Sequence, residues 1–250
     1  MIDRERFHEA CREALERSKG HGIGTLGEKT LHAALKRCYS PYEDSQEIQI
    51  GSFVADIVGE HGIIEIQTRN FAAMRKKLDT FLEVADVTVV YPVAKTRWVI
   101  WTDPETGETK KNRSPKKGSA YSILNELYFI KNYITHPRLS FRIVMLGIEE
   151  HRLLDGWSKD KKRGATRCDR IPVELYDEIP IEKISDYSIF IPESLDGQFT
   201  SADYKKESGI SLSDARVALN VLLSVGAVKR TGKSGNNFLY ERAENNGTDI

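Results

Sequence analysis

The chain has 250 residues, with 37 Lys and Arg balanced by 37 Asp and Glu, and is 40% hydrophobic and 30% charged. That composition describes an ordinary soluble globular protein, the zero net charge on its face argues against a strongly nucleic-acid-binding surface, and the length suits two domains. No apolar run reaches the roughly 18 residues of a membrane helix. The start MIDRERFHEACREALERSKG has no signal-peptide form, and Cys11, Cys38 and Cys168 lack C-x-x-C spacing. The expectation is a cytoplasmic protein with no membrane contact, disulfide framework or zinc site.

An amphipathic helix is expected from Asp3 to about Arg17. Gly22, Gly24 and Gly27 then spell G-x-G-x-x-G, but a helix precedes them where a dinucleotide site needs a strand. They read instead as a flexible entry to a helix from Leu26 to Tyr39. Next come a hairpin over GSFVADIVGEHGIIEIQT, a helix over NFAAMRKKLDTFLEV and a buried strand, DVTVVYPVA. A second hairpin turning at DPETGE, a helix from Tyr121 to Thr135 and a strand FRIVMLGIEE complete the first unit. This order predicts an α/β domain over residues 1–170. The basic runs Lys110–Lys117 and Lys159–Arg170 read most simply as solvated loops.

From about Ile171 the pattern changes, and residues 171–250 are expected to form a second domain. Thr200-x-x-Asp203 and Ser211-x-x-Asp214 are helix-start signals, with Gly209 between the two helices. Leu212, Ala215, Leu219 and Leu222 form the apolar stripe of the second helix, and a hairpin with the tip GKSGN follows. Helix, turn, helix and hairpin in this order resemble a winged helix-turn-helix domain. That resemblance implies DNA contact through Arg216 on the second helix and Lys229, Arg230 and Lys233 on the wing, although some winged helices bind protein instead.

The first hairpin carries two acids among apolar residues. If Val58 pairs with Ile63, Asp56 lies opposite Glu65 and Val54 opposite Gln67. Alternation then points Asp56, Glu65 and Gln67 one way, and Phe53, Ala55, Ile57, Ile64 and Ile66 the other way, into a core. Like charges directly opposed are destabilising, so the pair calls for a shared proton or a cation. Mg²⁺ typically takes one or two protein carboxylates. A one-residue slip would separate the acids. Arg69 shares strand parity with Gln67, whereas Glu47, of opposite parity to Asp56, is set aside as a ligand. The histidines show no metal-ligand spacing, and His61 reads as turn surface.

Asp, nine residues, then Glu-x-Gln on a hairpin resembles the PD-(D/E)xK nuclease superfamily, over about Leu26–Pro92. The resemblance implies a restriction-endonuclease-like mixed-sheet core in which Asp56 and Glu65 bind Mg²⁺ or Mn²⁺. Gln67 stands at the position of the usual lysine, where an amide cannot take a proton at neutral pH. Lys77, flanking the stripe of the next helix, is the candidate replacement; its plainer reading is a snorkelling side chain. Glu28 stands where a third metal-binding acid would come from, or is simply a helix-start acid. Arg69, Lys110 and Lys111 are further candidate phosphate contacts. The expected function is Mg²⁺-dependent DNA cleavage, with DNA as partner and a homodimer left open. The alternative is a non-catalytic DNA-binding or regulatory protein on a lapsed nuclease fold.

Overall fold

The computed structural model describes residues 2–19, 29–156 and 164–243. The chain is mixed α/β. The helices are α1 (Arg4–Lys19), α2 (Lys29–Tyr39), α3 (Arg75–Val84), α4 (Ser122–Leu127), α5 (Ser201–Ser208) and α6 (Leu212–Ser224). The strands are β1 (Gln46–Ile50), β2 (Phe53–Gly59), β3 (Gly62–Ile66), β4 (Val87–Thr102), β5 (Thr109–Arg113), β6 (Leu139–Leu153), β7 (Thr166–Ile181), β8 (Val228–Ser234) and β9 (Asn237–Arg242). Strands β1 to β7 hydrogen-bond in the order β1-β2-β3-β4-β6-β7, with β5 on β4. No helix among the described residues is long and apolar enough to cross a membrane.

Contacts divide the chain into two compact units. One comprises Met1–Ile66, Pro92–Ser119 and Val144–Ile179; the other comprises Gln67–Tyr91, Ala120–Ile143 and Pro180–Ile250. Strand β7 runs unbroken through the boundary expected at residues 170–171.

In the first unit Asp3 starts α1, its Oδ1 accepting from the amides of Glu5 and Arg6. Phe7, Ala10, Cys11 and Ala14 of α1 and Leu31, Ala34, Leu35 and Cys38 of α2 are buried, at the three- and four-residue spacing of helix faces. Burial pushes the Cys11 and Cys38 thiols up to about 12, so both stay protonated and behave as small apolar groups. One strand was missed. Gln46–Ile50 pairs antiparallel with β2 around a Gly51–Ser52 turn, so a three-strand meander stands where one hairpin was expected. The run Lys110–Lys117 also begins as strand, with Trp98 opposite Arg113 and Ile100 opposite Lys111.

In the second unit Phe71, Met74, Leu78 and Leu82 form the expected buried stripe, joined by Phe81. Arg75 fastens α3 by donating from Nε to the Phe129 carbonyl at 2.8 Å. The helix expected over Tyr121–Thr135 is α only to Leu127, then 3₁₀ over Tyr128–Ile130 and turns. Aromatic and β-branched residues and the approach to Pro137 account for the early end. Thr200 accepts from the Ala202 and Asp203 amides, and Ser211 from the Asp214 amide, as the cap signals predict. Gly209 closes α5 at φ 72°, a left-handed conformation that a side chain would strain. Strands β8 and β9 form the terminal hairpin, and Phe199 bridges to Tyr240 beside it.

Glu150 on β6 is 1% exposed and, among the described residues, is the most tightly enclosed carboxylate of the first unit. Burial raises its pKa, but a hydrogen bond from Arg152 and the charges of Arg152, Arg97 and Arg170 outweigh that and hold the carboxyl below its ordinary 4.5. Glu150 ionised therefore stabilises the fold above about pH 4.5, and the contribution disappears as pH falls through the lowered value. Replacing Glu150 with Gln should cost about 3 kcal/mol at pH 7, the usual result of breaking a buried ion pair. Urea denaturation of both proteins across pH 3–8 should show the gap closing on the acid side; equal midpoints at pH 7 would contradict it.

Candidate functional site

The hairpin β2–β3 pairs Ile57 with Ile64, Val58 with Ile63 and Gly59 with Gly62, which is the expected register closed by a tighter Glu60–His61 turn. The next opposed positions are Asp56 and Glu65. There ladder pairing gives way to side-chain bonds. The Asp56 amide donates to Glu65 Oε1 at 3.0 Å, and the Ile66 amide donates to Asp56 Oδ2 at 2.7 Å. Each carboxylate is thus held against the other's strand. Donation from main-chain amides offsets part of the repulsion between the acids.

The acid face is not open to solvent, as a solvated edge would be. Helix α2 packs on β2 and β3, Ile63 is buried, and Glu65 is 3% exposed against 18% for the Asp56 side chain. From α2, His32 Nε2 lies 3.1 Å from Asp56 Oδ2. One turn on, Lys36 Nζ reaches Glu47 Oε1 at 2.7 Å. The parity argument that disfavoured Glu47 as a ligand does not carry across strands, although its carboxylate is engaged by Lys36. In the β1–β2 register Glu47 falls between Gln46↔Ile57 and Ile48↔Ala55, opposite Asp56. Sequence parity holds within one strand; across an antiparallel pair the register decides which residues share a face. Glu47 has a left-handed backbone at φ 56°, which costs energy in a non-glycine residue. Its carboxyl is held low by the Lys36 hydrogen bond and charge, with Asp56 opposing and His32 assisting.

His32, Lys36 and Glu47 are the residues that sequence reasoning missed. The signal was available for two of them: 32 and 36 are four apart along α2 and so share a face. Glu28 and the glycines of G-x-G-x-x-G lie outside the described residues. Among the described residues, no group of three or more His, Cys, Asp and Glu is placed to hold a metal ion. Asp56 and Glu65 are two carboxylates on one hairpin, and Mg²⁺ typically takes one or two protein carboxylates.

The other candidates are dispersed. Strand β3 ends at Ile66, so Gln67 and Arg69 stand beyond the strand, where the parity argument for Arg69 fails. Gln67 Nε2 donates to the carbonyls of Arg69, at 2.5 Å, and Asn70. Lys77 Nζ lies 5.4 Å from the Phe81 ring centroid, in line with the snorkelling alternative. Lys111 pairs with Glu149 and lies over Trp98, while Lys110 is opposite Trp101. Arg216 is exposed on α6. On the terminal hairpin Lys229 pairs with Glu241 at 3.5 Å, and Arg230 and Lys233 lie over Phe238.

The Lys36–Glu47 bond is short, yet Glu47 is 71% exposed, so water screens it. A double-mutant cycle with Lys36→Met and Glu47→Gln should give a coupling of about 1 kcal/mol, the upper end for water-screened pairs, because the Lys36 side chain is only 10% exposed. A coupling above about 2 kcal/mol would mark Lys36 as locked in place.

Residues 29–182 match the family described as "Domain of unknown function (DUF8091)". A protein of Treponema pallidum (strain Nichols), named "Uncharacterized protein", is 30% identical over 154 residues, covering 61% of each chain. The chain thus spans less than two thirds of that relative's length. No solved structure matches. With more than half its length matched, in a segment holding His32, Lys36, Glu47, Asp56 and Glu65, the chain belongs to the DUF8091 family.

Proposed function

We propose that the chain is a divalent-metal-dependent DNA nuclease, built on a restriction-endonuclease-like core with a winged-helix domain that positions DNA. The observation that carries this reading is the opposed pair Asp56 and Glu65, whose carboxylates accept from the main-chain amides of Ile66 and Asp56 respectively, each on the facing strand. Asp56 and Glu65 would hold Mg²⁺ or Mn²⁺, which when bound polarises a phosphate and acidifies a water. His32 orients Asp56 through its 3.1 Å contact. Lys36 is the cation that α2 brings to this cluster, and it is held by a screened bond to Glu47. It is a better candidate for neutralising transition-state charge than Lys77, which lies against Phe81. The order α5, α6, β8, β9 supports the winged-helix part.

One observation favours a second reading, a DNA-binding protein without turnover. The Gln67 amide group is engaged by the Arg69 and Asn70 carbonyls, so the residue at the usual lysine position is turned to its own loop.

The two readings separate on a cleavage assay with linear, nicked and branched DNA in Mg²⁺ and Mn²⁺. Asp56→Asn should abolish cleavage while DNA binding is kept or improved, since one negative charge is removed near phosphate. Lys36→Met should lose more activity than Lys77→Met. Activity in Asp56→Asn equal to the parent would sink the hairpin as the site. For the wing, joint replacement of Lys229, Arg230 and Lys233 should flatten the salt dependence of duplex binding by about two to three log–log units if all three touch phosphate. An unchanged slope would turn the C-terminal segment into a protein-contact module.

A further inference from the structure

In the second unit, α6 is the helix expected to carry a DNA contact, yet it offers a ligand little. Its residues Ala215, Ala218, Leu219, Val221 and Leu222 are buried. Helix α4 packs on it, and Asn125 Nδ2 donates to Asp214 Oδ1 at 3.1 Å. The exposed residues of α6 are Ser213, Arg216 and Ser224. The terminal hairpin is the opposite case, for every residue from Lys229 to Phe238 is exposed. From Val228 to Arg242 the sequence holds Lys229, Arg230, Lys233 and Arg242 against one acid, Glu241. That acid lies opposite Lys229 and pairs with it. Arg230 lies opposite Tyr240 and Lys233 opposite Phe238, so these four side chains share the hairpin's other face. On that face Phe238 is 39% exposed. The Arg230 guanidinium stands 4.1 Å from its ring centroid and 5.8 Å from that of Tyr240, and Lys233 Nζ stands 4.9 Å from the Phe238 centroid.

We infer that this face binds single-stranded nucleic acid: an unpaired base stacks at Phe238 and Arg230, and Lys233 meets a neighbouring phosphate. Aromatic rings and guanidinium planes are the two surfaces on which unpaired bases stack, and here they lie together. The platform is anchored before any ligand arrives. Phe199 and Tyr240 exchange main-chain hydrogen bonds, and Gln198 Nε2 donates to Thr231 Oγ1 at 3.0 Å. Bases within a duplex are already stacked on each other, so the ring selects strands that are open. A ring beside two cations would also suit an anionic membrane surface, but interfacial binding grows with buried apolar area. Among the described residues, Phe238 is the one large exposed apolar side chain of this hairpin, and the tip beside it is Ser234, Gly235, Asn236 and Asn237. The choice of nucleic acid rests on the nuclease reading, and it narrows the substrate to DNA with unpaired bases.

The test follows binding of the full chain by fluorescence anisotropy in EDTA. The probes are a fluorescein-labelled oligothymidylate and an abasic strand with the same number of phosphates. The parent should prefer the strand that carries bases. Phe238→Ala should weaken oligothymidylate binding by about 5- to 150-fold, the loss of one stacked base, and leave the abasic strand unaffected. Phe238→Leu keeps apolar bulk without a ring and should fall nearly as far, whereas Phe238→Trp should hold the parental affinity. Lys233→Gln should lower the log–log salt slope by about 0.7, one phosphate on a single strand. No oligothymidylate binding by the parent, or parental binding in Phe238→Ala or Phe238→Leu, would overturn the proposal. So would ring-dependent binding to phosphatidylserine vesicles with oligothymidylate binding unchanged, which marks a membrane contact. Metal-dependent cleavage of duplex DNA with ring-independent strand binding would sink this proposal and spare the nuclease reading. Ring-dependent strand binding by a parent that cleaves nothing in Mg²⁺ or Mn²⁺ would do the reverse.

Discussion

The structure around the candidate site depends on one constraint, the opposition of Asp56 and Glu65 across β2 and β3. Two carboxylates set face to face on a ladder repel, and in water they would simply splay. Here α2 covers the hairpin, so the acids have to be accommodated in place. The chain does so by trading ladder pairing beyond Ile57↔Ile64 for amide-to-carboxylate bonds in both directions. His32 adds a third contact to Asp56. A hairpin that served only to fill a core would have had no need of this exchange, since an apolar pair would pack there without repulsion.

The surroundings follow the same logic of charge. Glu47, opposite Asp56 on the other side of β2, would add a third negative charge if left alone. Lys36 offsets it, and lies on the same face of α2 as His32. On β6, in the same way, Arg152, Arg170 and Arg97 stand around the buried Glu150 carboxylate. Both clusters fall within residues 29–182, the part of the chain shared with the DUF8091 family.

The register of the hairpin was legible because a Gly-flanked turn and strict alternation leave few ways to pair it. The cap residues Thr200 and Ser211 were legible for a similar reason: their role is local. What escaped depended on partners distant in sequence or on a rule applied outside its range. Strand β1 is short and alternates polar with apolar residues, and its pairing to β2 reverses the parity on which Glu47 was excluded. Strand β7 carries Pro172 and several charges, which mask a strand whose neighbours supply its hydrogen bonds. Glu150 looked like one acid among many, and only the fold brings Arg97, Arg152, Arg167 and Arg170 around it.

The central claim is that Asp56 and Glu65 together hold a divalent cation. Titration of the protein with Mn²⁺, followed by electron paramagnetic resonance, tests it without relying on any substrate. The claim predicts one bound Mn²⁺ per chain that Mg²⁺ displaces, lost in both Asp56→Asn and Glu65→Gln while their thermal melts stay close to the parent's. No bound Mn²⁺ in the parent, or equal binding in the two variants, would contradict it.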